Sequence, residues 1–159
     1  AFRWQLELAA ERDKPVTIHC IDAWGRLLEL LRETKRPARG FLLHAYAGSA
    51  ELAREFAALG AYFSFNGTFL AERHAARRAV FTQLPRERLL IETDAPAMPL
   101  PTERERFQLP SAPTADRINH PANLVAAYAG LAEVLEISET KLRATVAANF
   151  ARWFGQLET

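Results

Sequence analysis

Cysteine is nearly absent from this sequence: Cys20 is the single one, so no disulfide can form within the chain and no oxidising compartment is implied. Long apolar runs are missing too, none approaching the roughly 18 residues of a membrane span. The opening residues, Ala1 to Leu6, lack the charged, apolar and small-residue sections of a secretory signal. Together these absences read as a cytoplasmic protein with no membrane partner. Charge of one sign is also lacking. Lys and Arg number 20 against 19 Asp and Glu, so any pull on a phosphate backbone must come from a local patch. There is no initiating methionine, and the chain opens straight into a helical pattern, which suggests a piece of something longer. Low-complexity tracts and close internal repeats are missing as well. What remains is ordinary for a globular protein: 159 residues, 49% hydrophobic and 25% charged. That length suits one domain, 1–159, able to bury roughly two-thirds of its unfolded surface.

Short apolar runs alternate with stretches of helical period. A first helix holds Phe2, Leu6, Leu8 and Ala9 and ends near Pro15. Val16 to Cys20 is β-branched and too short for a helix, so it reads as a strand. A second helix carries Leu27, Leu28, Leu30 and Leu31, and Gly40 to His44 is the second strand. Ser49 caps a helix over 50–59 that Gly60 terminates. Ala61 to Phe65 is the third strand, ended by an Asn66-Gly67 turn. An Arg-rich helix follows from about Ala71 to Leu84, and Arg88 to Glu92 is the fourth strand. Between Asp94 and Pro121 lie six of the nine prolines and no periodicity, a long loop of the kind that is usually functional or mobile. The remainder reads as helices over 122–135, 139–148 and 150–157. Alternation of this kind argues for parallel strands joined by helical crossovers. An open doubly wound sheet and a closed eight-stranded barrel both fit the spacing. A whole barrel needs about 250 residues, so in the barrel case this chain would supply roughly half of one.

Strand ends hold the residues of chemical interest. His19 lies near the end of the first strand, His44 ends the second, and Asp94 closely follows the fourth. In parallel α/β folds ligands and catalytic groups converge at those ends. Imidazole and carboxylate aimed at one point suit a divalent metal. The alternative for each is a polar group satisfied by hydrogen bonds at a strand terminus. Glu92 shares a side of its strand with Asp94 by alternation, which suits either orienting that aspartate or an ordinary salt bridge. Cys20 points away from His19 and reads as a structural thiol. His74, with Arg73, Arg77 and Arg78, reads as a solvated helix face more readily than a DNA contact, and His120 beside Pro121 as a helix-entry residue. Trp4, Trp24 and Trp153 read as core or inter-helix packing.

Several segments resemble TatD-family hydrolases. Pro15-Val16-Thr17-Ile18-His19-Cys20 looks like that family's fifth strand, and His44-Ala45-Tyr46-Ala47-Gly48-Ser49 is similar to its His-Cys-Phe-Ser-Gly-Ser segment. Gly60 to Ser64 with Gly67 resembles the seventh strand. The most specific match is Leu84 to Pro96, ending Glu92-Thr93-Asp94-Ala95-Pro96, which is nearly the whole eighth-strand signature. Asn119 to Leu124 and the helices up to Phe150 resemble the family's closing segment. The resemblance implies strands five to eight, with their helices, of a TIM-type (β/α)8 barrel that hydrolyses DNA phosphodiesters. His19, His44 and Asp94 would be metal ligands, and Asp94 would also help deprotonate the attacking water. The cofactor would be a divalent ion (Mg, Mn or Zn), and the partner DNA or another phosphodiester substrate.

The chain also departs from the family pattern. It has no His-x-His, and no fourth strand to supply a bridging glutamate, so about half of the metal shell is missing. A second chain completing the barrel is one way to restore it. Ile21 stands where many relatives carry arginine, Ala47 replaces a serine and His120 a common glutamate. These leave the ligands intact and bear on substrate preference. Against the nuclease stand a non-catalytic half-barrel with a binding or assembly role, and a related barrel hydrolase of amide or lactone bonds.

Overall fold

The four apolar runs form one parallel sheet, in the order in which they occur along the chain. The computed structural model describes residues 1–109 and 117–155. β1 is Thr17–Ile18, β2 Phe41–Leu43, β3 Ala61–Asn66 and β4 Leu89–Glu92. A doubly wound sheet reverses its strand order at a switch point, whereas successive barrel strands are neighbours. The order β1-β2-β3-β4 has no reversal and is that of a barrel arc. Register aligns Thr17 with Leu42, Leu42 with Tyr62, Ser64 with Leu90, and Asn66 with Glu92. Because side chains alternate along a strand, these residues share one face. Phe41, Leu43, Phe63, Phe65 and Leu89 occupy the other and are fully buried.

Helices cover that apolar face: α1 Phe2–Glu11, α2 Trp24–Glu33, α3 Ala50–Ala58, α4 Ala75–Phe81, α5 Leu124–Val134 and α6 Glu139–Phe154. Ser49 and Ser138 cap α3 and α6, their hydroxyls accepting from the amides of Leu52 and Lys141 at 3.2 Å each. Gly60 ends the turn after α3 at φ 97°, a conformation glycine adopts at little steric cost. Its carbonyl sits against Gly40, where a Cβ would approach to 2.2 Å.

Three helix boundaries differ from expectation. The Arg-rich helix begins at Ala75 rather than Ala71, after two 3-10 turns at Gly67–Leu70 and Glu72–His74. Arg78 holds those turns by donating to the carbonyls of Phe69, Leu70 and Ala71. A 3-10 turn at Pro121–Asn123 likewise precedes α5. The two expected closing helices are one, α6, running through Asn149 as far as Phe154; residues 156 and 157 lie outside the described part. Asparagine is a poor helix former. Here its buried amide donates to the carbonyls of Arg86 and Leu89 at 2.8 Å each, tying α6 to the start of β4. Trp4 is also corrected: at 65% exposure it packs into no core. Trp24 and Trp153 do pack, Trp24 edge-on to Tyr46 with ring centroids 4.8 Å apart.

The expected loop 94–121 is described except for 110–116. It contains a 3-10 turn at Thr102–Arg104 and an antiparallel bridge between Gln108 and Asn119. Two buried asparagines organise it. Asn119 donates to the carbonyls of Thr93 and Met98 at 2.8 and 3.1 Å, on either side of Asp94. Asn123 accepts from the amides of Arg106 and Phe107.

Candidate metal centre

His44 directly follows β2, and its amide continues the sheet by donating to the Ile18 carbonyl at 3.0 Å. The next residue, Ala45, turns left-handed at φ 44° and donates its amide to Ser64 Oγ. Asp94 is left-handed as well, at φ 56°. Such backbone is uncommon outside glycine and concentrates where a structure holds a side chain for a purpose. Both turns leave the side chain at the mouth of the sheet's polar face.

There His44 bridges two carboxylates. Its Nδ1 lies 2.8 Å from Glu92 Oε2 and its Nε2 3.5 Å from Asp94 Oδ2. Glu92 is also the acceptor for the Ser64 hydroxyl and for Asn66 Nδ2 at 3.3 Å. With the Ser64 hydroxyl and the Asn66 amide donating to the same carboxyl group, the tautomer that fits is the one in which Nδ1 carries the proton and donates it to Glu92. Asn66 is itself fixed by the amide and hydroxyl of Thr68, at 3.0 and 2.9 Å from its Oδ1. The hydrogen bond to Glu92 is the main reason the His44 imidazole is held above its ordinary pKa. Burial opposes it, and the Glu92 and Asp94 charges reinforce it.

In the neutral ring, the Nε2 lone pair faces the Asp94 carboxylate. Two electron-rich atoms at that separation are compatible with a proton or a cation shared between them. A histidine whose other nitrogen is fixed by a carboxylate is the usual support for a metal-ligating imidazole. His44 and Asp94 therefore suit part of a coordination shell. His19 stands one strand away and exposed, its ring centroid 5.3 Å from that of His44. Among the described residues no three His, Cys, Asp or Glu side chains close around one point. The three expected donors form a row with His44 in the middle.

A family model described as TatD related DNase matches residues 1–155. The chain belongs to the TatD family. Across 155 residues, 97% of this chain, it is 38% identical to a 3'-5' ssDNA/RNA exonuclease TatD from Cronobacter sakazakii. A metal-dependent hydrolase, YabD of Bacillus subtilis, is 39% identical over 95 residues, 60% of this chain and 37% of its own. Among solved structures, YJJV, a TatD homologue from Escherichia coli, superposes with a TM-score of 0.82 at 29% identity, covering 96% of this chain and 54% of its own. The chain spans about half the length of the relatives it matches, 56% of the Cronobacter protein.

Within this TatD-family chain, the other residues of interest divide clearly. Of the two roles expected for Glu92 the structure shows the salt bridge, and its partner is His44: parallel register sets Glu92 beside Asn66, and Ser64 joins it towards β2. Ser64 and Asn66 were not singled out from the sequence. Polar residues two apart in the otherwise apolar run Tyr62-Phe63-Ser64-Phe65-Asn66 are the signal that marks them. Cys20 is half-buried against the core with its thiol pKa raised chiefly by burial, as suits a structural thiol. His120 caps the turn before α5, its Nδ1 accepting from the Ala122 amide at 3.0 Å. Arg73 and Arg77 are exposed, as expected of a solvated face, and with His74 they border a groove.

Proposed function

We propose that this chain is the strand-five-to-eight half of a (β/α)8 barrel and hydrolyses phosphodiester bonds of nucleic acid with a divalent ion held by His19, His44 and Asp94. One observation carries the reading: His44 Nε2 and Asp94 Oδ2 face one another at 3.5 Å while Glu92 fixes the far side of the imidazole. When bound, such an ion lowers the pKa of water and offsets charge on the phosphoryl oxygens. The chain's own part is to place and move protons. Asp94 accepts the proton of the attacking water, a general-base role that suits a partly exposed carboxylate at the site mouth. Glu92, held by Ser64 and Asn66, keeps His44 in the tautomer that presents Nε2. The nucleic-acid substrate follows the names of the exonuclease relatives. The matched relatives carry their remaining length on the same polypeptide, so the reading draws on no second chain. Among the described residues no helix is long and apolar enough to cross a membrane.

The test is cleavage of single-stranded DNA by the purified chain with added magnesium, manganese or zinc, a chelator control, and Asp94→Asn in parallel. Chelator-sensitive cleavage lost in the variant is expected. Cleavage that persists in the variant after repurification to constant specific activity would overturn the assignment of Asp94, and no cleavage would show that this length of chain is not active alone.

Glu92→Gln tests the supporting carboxylate. Its neutral amide weakens the bond to His44 Nδ1 and the basicity of Nε2, so metal affinity should drop about 10- to 100-fold. Isothermal titration with Mn²⁺ above pH 8 reads this directly. Equal affinity for variant and parent would remove Glu92 from the site.

A further inference from the structure

A groove of about 680 Å³ opens beside the candidate metal centre, between the residues after β3 and those after β4. Thr68, which braces Asn66, lines it on one side; Met98, tied through Asn119 to the carbonyl preceding Asp94, lines it on the other. Arg73, His74 and Arg77 form one wall. Arg77 is exposed and makes no ion pair or side-chain hydrogen bond among the described residues, and the Arg73 side chain donates to His74 Nε2 at 3.2 Å. Burial, and then the neighbouring guanidinium charges of Arg77, Arg73 and Arg78, hold the His74 imidazole below its ordinary pKa. Glu72 and Glu103 also line the groove, but Arg78 lies 3.4 Å from Glu72. The facing wall is largely apolar, with Met98 exposed beside Pro99 and Pro101 and Leu100 buried beneath them. Arg117 stands beside it, paired with Glu105 and donating to the Leu100 carbonyl.

We propose that this groove is a track for single-stranded nucleic acid, its backbone phosphates held by Arg73 and Arg77 and its bases laid against Met98. The inference rests on the hydrolase reading for its substrate class and adds a binding site outside the metal centre. The chemistry suits one occupant. Arg77 and the terminal nitrogens of Arg73 keep free guanidinium N–H groups among the described residues, and such groups recognise phosphate oxygens in bidentate fashion. A groove joining a cationic wall to an apolar one accepts unstacked bases, which a duplex keeps inside its stack. The overall charge of +1 leaves such a local patch as the source of attraction.

The experiment is fluorescence anisotropy of a labelled twelve-nucleotide oligothymidylate with the 159-residue chain, across a salt series and with chelator throughout. Chelator separates this test from the metal reading, since the track binds whether or not a cation is held. The double variant Arg73→Ala/Arg77→Ala should bind about fivefold more weakly, as expected for two exposed charge contacts. Its plot of log affinity against log salt should be shallower by about 1.4, at roughly 0.7 for each lost phosphate contact on a single strand. Arg54→Ala, an exposed arginine on α3, should leave both quantities unchanged. Circular dichroism checks that the variants fold. Equal affinity and slope for parent and double variant would overturn the proposal. So would absence of binding by the parent at low salt, or equal binding of a duplex of the same length.

Discussion

His44→Ala should lower the affinity of the chain for a divalent cation by more than 100-fold while leaving its helix content intact. Loss of a residue that merely supports a ligand costs about 10- to 100-fold, and His44 supplies the central donor itself. It is the one side chain of the row in contact with both of the others: Asp94 lies 3.5 Å from its Nε2, and the His19 ring is 5.3 Å from its own. Removing it leaves the remaining pair with nothing between them. The fold should tolerate the change, because Glu92 keeps its bonds from Ser64 and Asn66 and the apolar face of the sheet is untouched. Asp94→Ala should act in the same direction, and His19→Ala less, since that ring is exposed one strand further out. Titration with Mn²⁺ gives the affinities and far-ultraviolet circular dichroism the helix content. Unchanged affinity in both the His44 and Asp94 variants, with folding verified, would sink the site assignment.

Why His44 and Asp94 were legible in the sequence while Ser64 and Asn66 were not is a matter of what alternation encodes. A short β-branched run followed by helical period announces a parallel strand, and a His or Asp at its end announces itself against the apolar residues before it. Period two also tells which residues share a face. It does not tell which residue stands opposite on the next strand, because that depends on register. Glu92 was therefore read either with Asp94, two residues on, or in a salt bridge with no partner named. Register sets it beside Asn66 and within reach of His44, its neighbours across the sheet. The same limit applies to Asn149. The expected helices 139–148 and 150–157 left it between them, and only the nearby carbonyls of Arg86 and Leu89 show why this poor helix former belongs inside one. Trp4 failed for a related reason: periodicity names a candidate inner face without showing whether anything covers it. Strand order was equally out of reach, since spacing fits a barrel arc and a doubly wound sheet alike. The order β1-β2-β3-β4 separates them.

The largest expected loss of stability is Phe65→Ala. Phe65 is fully buried on the helix side of β3, edge-on to Phe81 with centroids 5.0 Å apart and to Phe69 at 5.7 Å. Truncating it removes its transfer free energy and leaves a cavity that two rigid rings cannot collapse into. The cost should be about 3–5 kcal/mol. A domain is typically stable by only about 5–15 kcal/mol, so the change consumes a large share of the total. The melting temperature should fall by roughly 6–20 °C for a chain of this size. The two residues that flank Phe65 are Ser64 and Asn66, whose side chains face the other way and hold Glu92. Loosening this aromatic cluster therefore also loosens the support of His44, and metal affinity should fall with stability even though Phe65 touches no polar group of the site. Trp4→Ala is the contrast: a larger side chain, but exposed, and expected to shift stability by no more than about 0.5 kcal/mol. Urea denaturation of both variants against the parent makes the comparison. Equal losses from the two would mean that the cluster around β3 is not the core on which the site rests.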